Sequence, residues 1–126
     1  MIREFVKGHK ERLSDHFSTD EFDCHCMSDN CIVTYIDMAL IAYLEKKREL
    51  WNKPIHIRSG FRCVHHNQRC GGAKGSRHLI GQAADIEVKG MTGKQLAHDC
   101  SDAGGVGLAK GWIHVDIRYG KSRWTY

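Results

Sequence analysis

Proline is nearly absent from this chain of 126 residues, in which Pro54 is the only one. The chain also lacks low-complexity tracts and internal repeats, and no apolar run approaches the roughly 20 residues that a transmembrane helix needs. These absences exclude repeat architectures and membrane spans. The length suits a single domain, residues 1–126, with a modest core. The hydrophobic and charged fractions, 41% and 27%, are those of a soluble globular chain.

Strong charge of one sign is lacking as well. The net charge is +4, and the basic residues are scattered rather than gathered into a stripe. We therefore expect no nucleic-acid partner. The N-terminal segment, residues 1–8, mixes charged and apolar residues and is not a secretory signal peptide. A substrate outside the cell membrane then requires another route of delivery.

Cysteine, in contrast, is plentiful, with six residues. A domain of this size does not need a disulfide framework, and no export signal is present, so we expect reduced thiols. Three cysteines lie close together in sequence, at Cys24, Cys26 and Cys31. A second, structural zinc ion with a fourth ligand from elsewhere is the alternative, which we favour less because this spacing is not a common zinc-knuckle spacing. The other cysteines are Cys63, Cys70 and Cys100.

The hydrophobic pattern predicts an α+β fold. Apolar side chains recur at helical spacing over residues 34–51, and capping boxes at residues 18–21 and 92–95 predict further helix starts. Other expected elements are short helices over 1–13 and 63–70, strands at 55–58 and 83–88, a hairpin of 104–108 and 112–118, and an edge strand in the tail. The irregular order and the late hairpin favour a small antiparallel sheet with flanking helices.

Two imidazoles and a carboxylate form the strongest chemical signal. His78 lies on a loop, Asp85 follows seven residues later on a predicted strand, and Gly81 permits a sharp turn between them. His114 lies on another predicted strand. Two histidines and one carboxylate are the protein ligands of a hydrolytic zinc site, with the fourth position left for water. Asp116, on the same strand face as His114, is either a general base or a partner that orients a ligand histidine.

These residues carry a family resemblance. The pattern Ser-x-His-x-x-Gly-x-Ala-x-Asp over residues 76–85, followed by a late histidine, resembles the zinc D-alanyl-D-alanine carboxypeptidase family. That family includes D,D-dipeptidases and phage endolysin peptidases, and it shares its metal site with the hedgehog signalling domain. Residues 54–63, Pro-Ile-His-Ile-Arg-Ser-Gly-Phe-Arg-Cys, are similar to the family's strand and Ser-Gly-Tyr-Arg turn. Residues 71–76 and 105–107 extend the likeness, which covers roughly residues 13–120.

The resemblance implies a hedgehog/D,D-peptidase-like zinc site with one catalytic zinc ion bound by His78, Asp85 and His114. It also implies that Arg62 stabilises the developing oxyanion or grips a substrate carboxylate, because a guanidinium offers a planar fork of donors. Ser76 is implied to form a hydrogen bond with the substrate near the scissile bond.

One position departs from the family pattern. Many members place an acidic residue three positions before the last histidine, as the catalytic base, whereas Gly111 stands there in this chain. The motif therefore assigns no base, and Asp116 is the candidate on physical grounds alone.

The resemblance implies a zinc metallopeptidase that cuts peptide stems or cross-links of peptidoglycan, as a D-Ala-D-Ala carboxypeptidase or an endopeptidase. We expect a monomer of phage or prophage origin, made in the bacterial cytoplasm and acting at the cell wall after release or as a virion component. Gly111 motivates the alternative of a catalytically inert zinc-binding module for wall or protein attachment. A third interpretation, an iron oxygenase with a facial triad, is disfavoured because the chain has too few strands for the barrel that usually holds such a site.

Overall fold

The computed structural model describes the whole chain, residues 1–126, as three α-helices and seven strands. The helices are α1 (Met38–Trp51), α2 (Val64–Arg69) and α3 (Gly93–Asp99). The strands are β1 (Ile2–Val6), β2 (Val33–Asp37), β3 (His56–Ser59), β4 (Ala83–Glu87), β5 (Gly105–Leu108), β6 (Ile113–Asp116) and β7 (Ser122–Thr125). Short 3₁₀ turns cover Thr19–Phe22 and Arg77–Ile80. No helix has the length and apolar character needed to cross a membrane.

The main sheet has five strands in the order β3-β4-β6-β5-β7. The α+β prediction is confirmed, but the sheet is larger than the small antiparallel sheet expected, and it is mixed. β7 pairs in parallel with β5, whereas the other pairs are antiparallel. The reason is topological: the chain reverses after β6 and returns on the far side of β5, so that β7 runs in the direction of β5.

The N-terminus corrects the expectation of a helix over residues 1–13. Residues 2–6 form β1, which pairs with β2 in a separate two-stranded antiparallel sheet. The same pairing explains why the predicted helix at 34–51 begins only at Met38, since the residues before it belong to β2. Asp37 ends the strand and caps α1 by accepting a hydrogen bond from the backbone N–H of Ala39 at 3.0 Å.

Strand alternation divides the main sheet into an apolar face and a polar face. Ala84 and Ile86 of β4 and Ile113 and Val115 of β6 all belong to the 18-residue core cluster. The α1 and α3 helices contribute buried leucine and isoleucine side chains to the same cluster. Because successive side chains on a strand point to opposite faces, the residues between these apolar positions lie on the other face. Three of the residues singled out in the sequence are among those intervening ones, namely Asp85, His114 and Asp116.

Gly81 makes the turn that leads from the 3₁₀ segment into β4. Its φ of +75° lies in the left-handed region, and a Cβ atom added there would lie 2.2 Å from the carbonyl oxygen of Tyr35. Both facts require glycine. The sharp turn that the sequence predicts at Gly81 is therefore present, and it places His78 beside Asp85 of β4.

Candidate metal centre

Three donor atoms converge on the polar face of the sheet. Asp85 and His114 are direct cross-strand partners on β4 and β6, and the 3₁₀ turn places His78 above them. His78 Nε2 lies 3.1 Å from Asp85 Oδ1 and 3.1 Å from His114 Nδ1, and His114 Nδ1 lies 3.3 Å from Asp85 Oδ1. All three residues are buried.

These distances fit a zinc ion. Bonds of about 2.0–2.1 Å to nitrogen and oxygen in a tetrahedron separate neighbouring ligand atoms by about 3.3 Å. The triangle of donor atoms has nearly this edge length on all three sides. It also supplies three protein ligands and no fourth, which is the composition of a site that keeps one position for water or substrate.

His78 is held in the tautomer that a metal requires. Its Nδ1 lies 2.7 Å from the carbonyl oxygen of Gly60, which accepts a hydrogen bond and therefore places the ring proton on Nδ1. Nε2 is then left with a lone pair that faces the other donor atoms.

His114 is oriented by a carboxylate on its opposite side. Its Nε2 lies 2.6 Å from Oδ2 of Asp116, so that Nδ1 is the atom left for a metal. Arg118 donates to the same carboxylate from Nη2 at 2.7 Å, from Nε at 2.9 Å and from its backbone N–H at 3.1 Å. Although burial alone raises the pKa of Asp116, the hydrogen bonds from His114 and Arg118 hold this pKa below its ordinary value.

The position of Asp116 suits one of its two expected roles better than the other. The side chain has no exposure and is held by His114 and Arg118. It lies behind the imidazole, on the side away from the donor triangle. A general base must reach the water that attacks the substrate, whereas an orienting partner needs only the histidine. The geometry therefore favours the role in which Asp116 orients the His114 ring.

Gly105 provides the space for this carboxylate. It pairs with Asp116 across β5 and β6, and a Cβ atom at Gly105 would lie 2.2 Å from Asp116 Oδ2. Glycine here allows the close approach of the backbone to the buried acid. The Gly-Val-Gly segment that resembled the family pattern thus has a local packing reason.

Arg62 holds the second oxygen of Asp85. Its Nη2 donates to Asp85 Oδ2 at 2.8 Å, its Nε donates to Ser59 Oγ at 2.9 Å, and its Nη1 donates to Asn67 Oδ1 at 3.3 Å. This leaves Oδ1 of Asp85 free to bind a metal. Burial raises the pKa of Asp85, but hydrogen bonds from His114 and His78 outweigh burial and hold this pKa well below its ordinary value.

An open cleft of about 610 Å³ lies above the three donors. Ser76 lines it and accepts a hydrogen bond from the His78 backbone N–H at 3.3 Å, which leaves its hydroxyl proton available. The basic residues lining the cleft are Arg62, Arg77 and Arg118. The only carboxylate side chain among the lining residues belongs to Asp85. Arg62 and Arg118 are paired with the carboxylates of Asp85 and Asp116, and no second carboxylate side chain lines the cleft that could act as a base.

Three aromatic side chains that no sequence motif singles out form one wall of this cleft. The Trp124 ring lies 4.9 Å from the ring of His114, and Tyr126 lies 5.1 Å from Trp112. Trp124 and Tyr126 reach the site because β7 pairs with β5. No local pattern signals this, because the pairing joins segments that are separated along the chain.

A second group of ligand-type side chains lies apart from this centre. The sulfur atoms of Cys24, Cys26, Cys31 and Cys63 lie within 4.8 Å of one another, and none of the four cysteines forms a disulfide. The first three are close together in sequence, where the pattern left the fourth ligand open. The structure places Cys63 in that position.

Two imidazoles and one carboxylate on the polar face of a sheet, beneath an open cleft, are the arrangement found in zinc-dependent hydrolases. A family model described as Peptidase M15 matches residues 15–116, which is most of the chain. The chain belongs to this family of zinc D-alanyl-D-alanine carboxypeptidase-like metallopeptidases, and the resemblance seen in the sequence is confirmed. No curated protein matches the chain.

Proposed function

We propose that this protein is a zinc-dependent peptidase that cuts the peptide stems or cross-links of bacterial peptidoglycan. The observation that carries the proposal is the triangle of donor atoms from His78, Asp85 and His114, whose edges fit one face of a zinc tetrahedron, at the floor of a cleft lined by three guanidinium groups. Three guanidinium groups around the cleft suit a substrate with a free carboxylate, such as the D-alanyl end of a stem peptide. This charge favours carboxypeptidase action over cutting within a cross-link.

The residues of the chain have separate tasks in this proposal. His78, Asp85 and His114 would hold a zinc ion, which would lower the pKa of a bound water to near neutral and would polarise the scissile carbonyl. Arg62 lines the cleft beside Asp85 and directs its remaining N–H groups to the substrate carboxylate or the developing oxyanion. The hydroxyl group of Ser76 donates a hydrogen bond to the substrate near the scissile bond. Asp116 holds His114 in the tautomer that leaves Nδ1 free.

Mass analysis of muropeptides tests the proposal. Incubation of purified protein with zinc and a stem pentapeptide is expected to release one terminal residue, and a chelator is expected to abolish the release. His78→Ala removes one ligand and is expected to remove the activity. Full wall-digesting activity in His78→Ala protein would end the assignment of this metal centre to catalysis.

A second candidate function has its own supporting observation. The cleft has no acid other than the ligand Asp85, and Gly111 occupies the position where many relatives have the base. An inert zinc-binding module for attachment to the wall or to a protein agrees with both facts. Zinc-loaded protein that binds muropeptides without releasing any new amine or carboxyl group supports the attachment module, whereas any zinc-dependent release excludes it.

The domain count, the oligomeric state and the origin of the protein are part of the same proposal. We infer a single domain over residues 1–126, a monomer, and a donor set of the hedgehog/D,D-peptidase kind with one catalytic zinc. A phage or prophage enzyme, made in the bacterial cytoplasm and acting at the wall after release or from a virion, agrees with the family's phage subgroup. Light scattering in solution tests the inferred monomeric state, because a dimer would double the measured molecular mass.

A further inference from the structure

The four-cysteine group joins two distant parts of the chain. Cys63 Sγ lies 3.7 Å from Cys24 Sγ and 3.8 Å from Cys26 Sγ, and all four sulfurs lie within 4.8 Å of one another. Cys24 and Cys26 are buried, while Cys31 and Cys63 are partly buried. All four donor atoms of this group are thiol sulfurs.

We propose that Cys24, Cys26, Cys31 and Cys63 bind a second zinc ion that stabilises the fold and takes no part in the reaction. Zinc–sulfur bonds of about 2.3 Å in a tetrahedron place neighbouring sulfurs about 3.8 Å apart, which matches the distances of Cys63 Sγ from Cys24 Sγ and Cys26 Sγ. Four protein ligands leave no position for water, and this closed coordination is typical of structural zinc rather than catalytic zinc.

The surroundings of the sulfurs suit a metal–thiolate centre. Zinc with four thiolates carries a net charge of about −2, which a buried site must offset. Lys7 lies at the group, with its Nζ 3.5 Å from Cys26 Sγ and 3.1 Å from the Cys26 carbonyl oxygen. The backbone N–H of Cys63 donates to Cys24 Sγ at 3.4 Å. An ammonium group and a backbone N–H donor at the sulfurs stabilise the charged form of this centre.

The site has a structural consequence for the catalytic cleft. Cys63 directly follows Arg62, the residue that holds Asp85, and it is also the N-cap residue of α2. Phe61, one residue earlier, packs against the ring of Tyr35 at 5.4 Å and belongs to the same small cluster as Cys24 and Cys26. A metal at the cysteines therefore anchors the turn that carries Arg62.

Metal counting tests this inference separately from peptidase activity. Protein purified under reducing conditions is expected to contain about two zinc ions per chain by mass spectrometry of the metal. Cys63→Ser is expected to lose one ion, and so is the double variant His78→Ala/His114→Ala. The matched control is Cys70→Ser, since Cys70 is an exposed cysteine outside the group, and it is expected to keep both ions.

Cobalt substitution identifies the ligands even where a cysteine variant does not fold. The His78→Ala/His114→Ala protein loaded with Co²⁺ is expected to show intense thiolate-to-cobalt charge-transfer absorption. Absence of that absorption, with no metal retained, overturns the inference. Intact-mass analysis that shows the loss of two hydrogens, with a disulfide mapped within the four cysteines, overturns it as well. Failure of the muropeptide assay alone leaves both metal readouts unaffected, so the two proposals fail independently.

Discussion

Replacing Asp116 by asparagine distinguishes the two roles expected of this residue. In the native site, one carboxylate oxygen faces His114 Nε2 and Arg118 Nη2, and the other accepts from the Arg118 backbone N–H and Nε. An asparagine amide has one acceptor oxygen and one NH₂ group that only donates. Whichever way the amide is turned, its NH₂ group meets donors, so either His114 or Arg118 loses its acceptor.

The expected magnitude follows from an orienting role. Loss of the partner that orients a metal-binding histidine typically weakens metal affinity or activity by about 10- to 100-fold, which corresponds to about 1.4–2.7 kcal/mol. We therefore expect the zinc dissociation constant of Asp116→Asn to rise by about 10- to 100-fold. At saturating zinc, its kcat is expected to fall by less than about 100-fold.

The assay is zinc competition against a chromophoric chelator, combined with turnover of a stem pentapeptide at saturating zinc. A general base has a different signature, because its removal costs roughly 10²–10⁴ in rate and leaves the metal ligands in place. Unchanged zinc affinity together with a loss of kcat beyond about 100-fold would refute the orienting role. Asp15→Asn, at an exposed site away from the cleft, is the control and is expected to match the native protein in both measurements.

Three further predictions concern the wall of the cleft and the cysteines. Gly105→Ala is expected to displace the Asp116 carboxylate and weaken zinc binding by about 10-fold or more, as measured by the same competition. Trp124→Ala is expected to raise the KM for the stem peptide more than it lowers kcat, because the ring lines the cleft but bears no reacting group. Burial raises the pKa of Cys100 to about 11, so its alkylation is expected to stay negligible at neutral pH and to increase only as pH approaches 11, while the exposed Cys70 reacts first in peptide mapping.

Each of these predictions has an outcome that contradicts it. Native zinc affinity in Gly105→Ala shows that the strand yields without moving the acid. A change in kcat alone for Trp124→Ala assigns the ring to the chemical step rather than to substrate binding. Rapid modification of Cys100 at neutral pH, at a rate similar to that of Cys70, means that the core around α3 opens more readily than its full burial implies.

Local patterns in the sequence predicted the three donor residues that the structure brings together, His78, Asp85 and His114. Strand alternation predicted that His114 and Asp116 share one face of their strand, and the structure places both opposite the core residues Ile113 and Val115. The capping boxes at Ser18 and Thr92 both form. Such signals can be recognised in sequence because they depend on residues within a few positions of one another, where backbone geometry leaves few choices.

Long-range pairing decided the remaining features. The N-terminal residues form a strand because β2 is available to pair with them, and Cys63 joins Cys24 and Cys26 only when β3 and the following turn pack against the cysteine loop. β7 likewise brings Trp124 to the ring of His114 by pairing with β5. The sequence by itself predicted which side chains supply the three donor atoms of the candidate metal centre. Tertiary structure determined what surrounds them, because contacts between distant segments depend on the whole fold and leave no periodic signal along the chain.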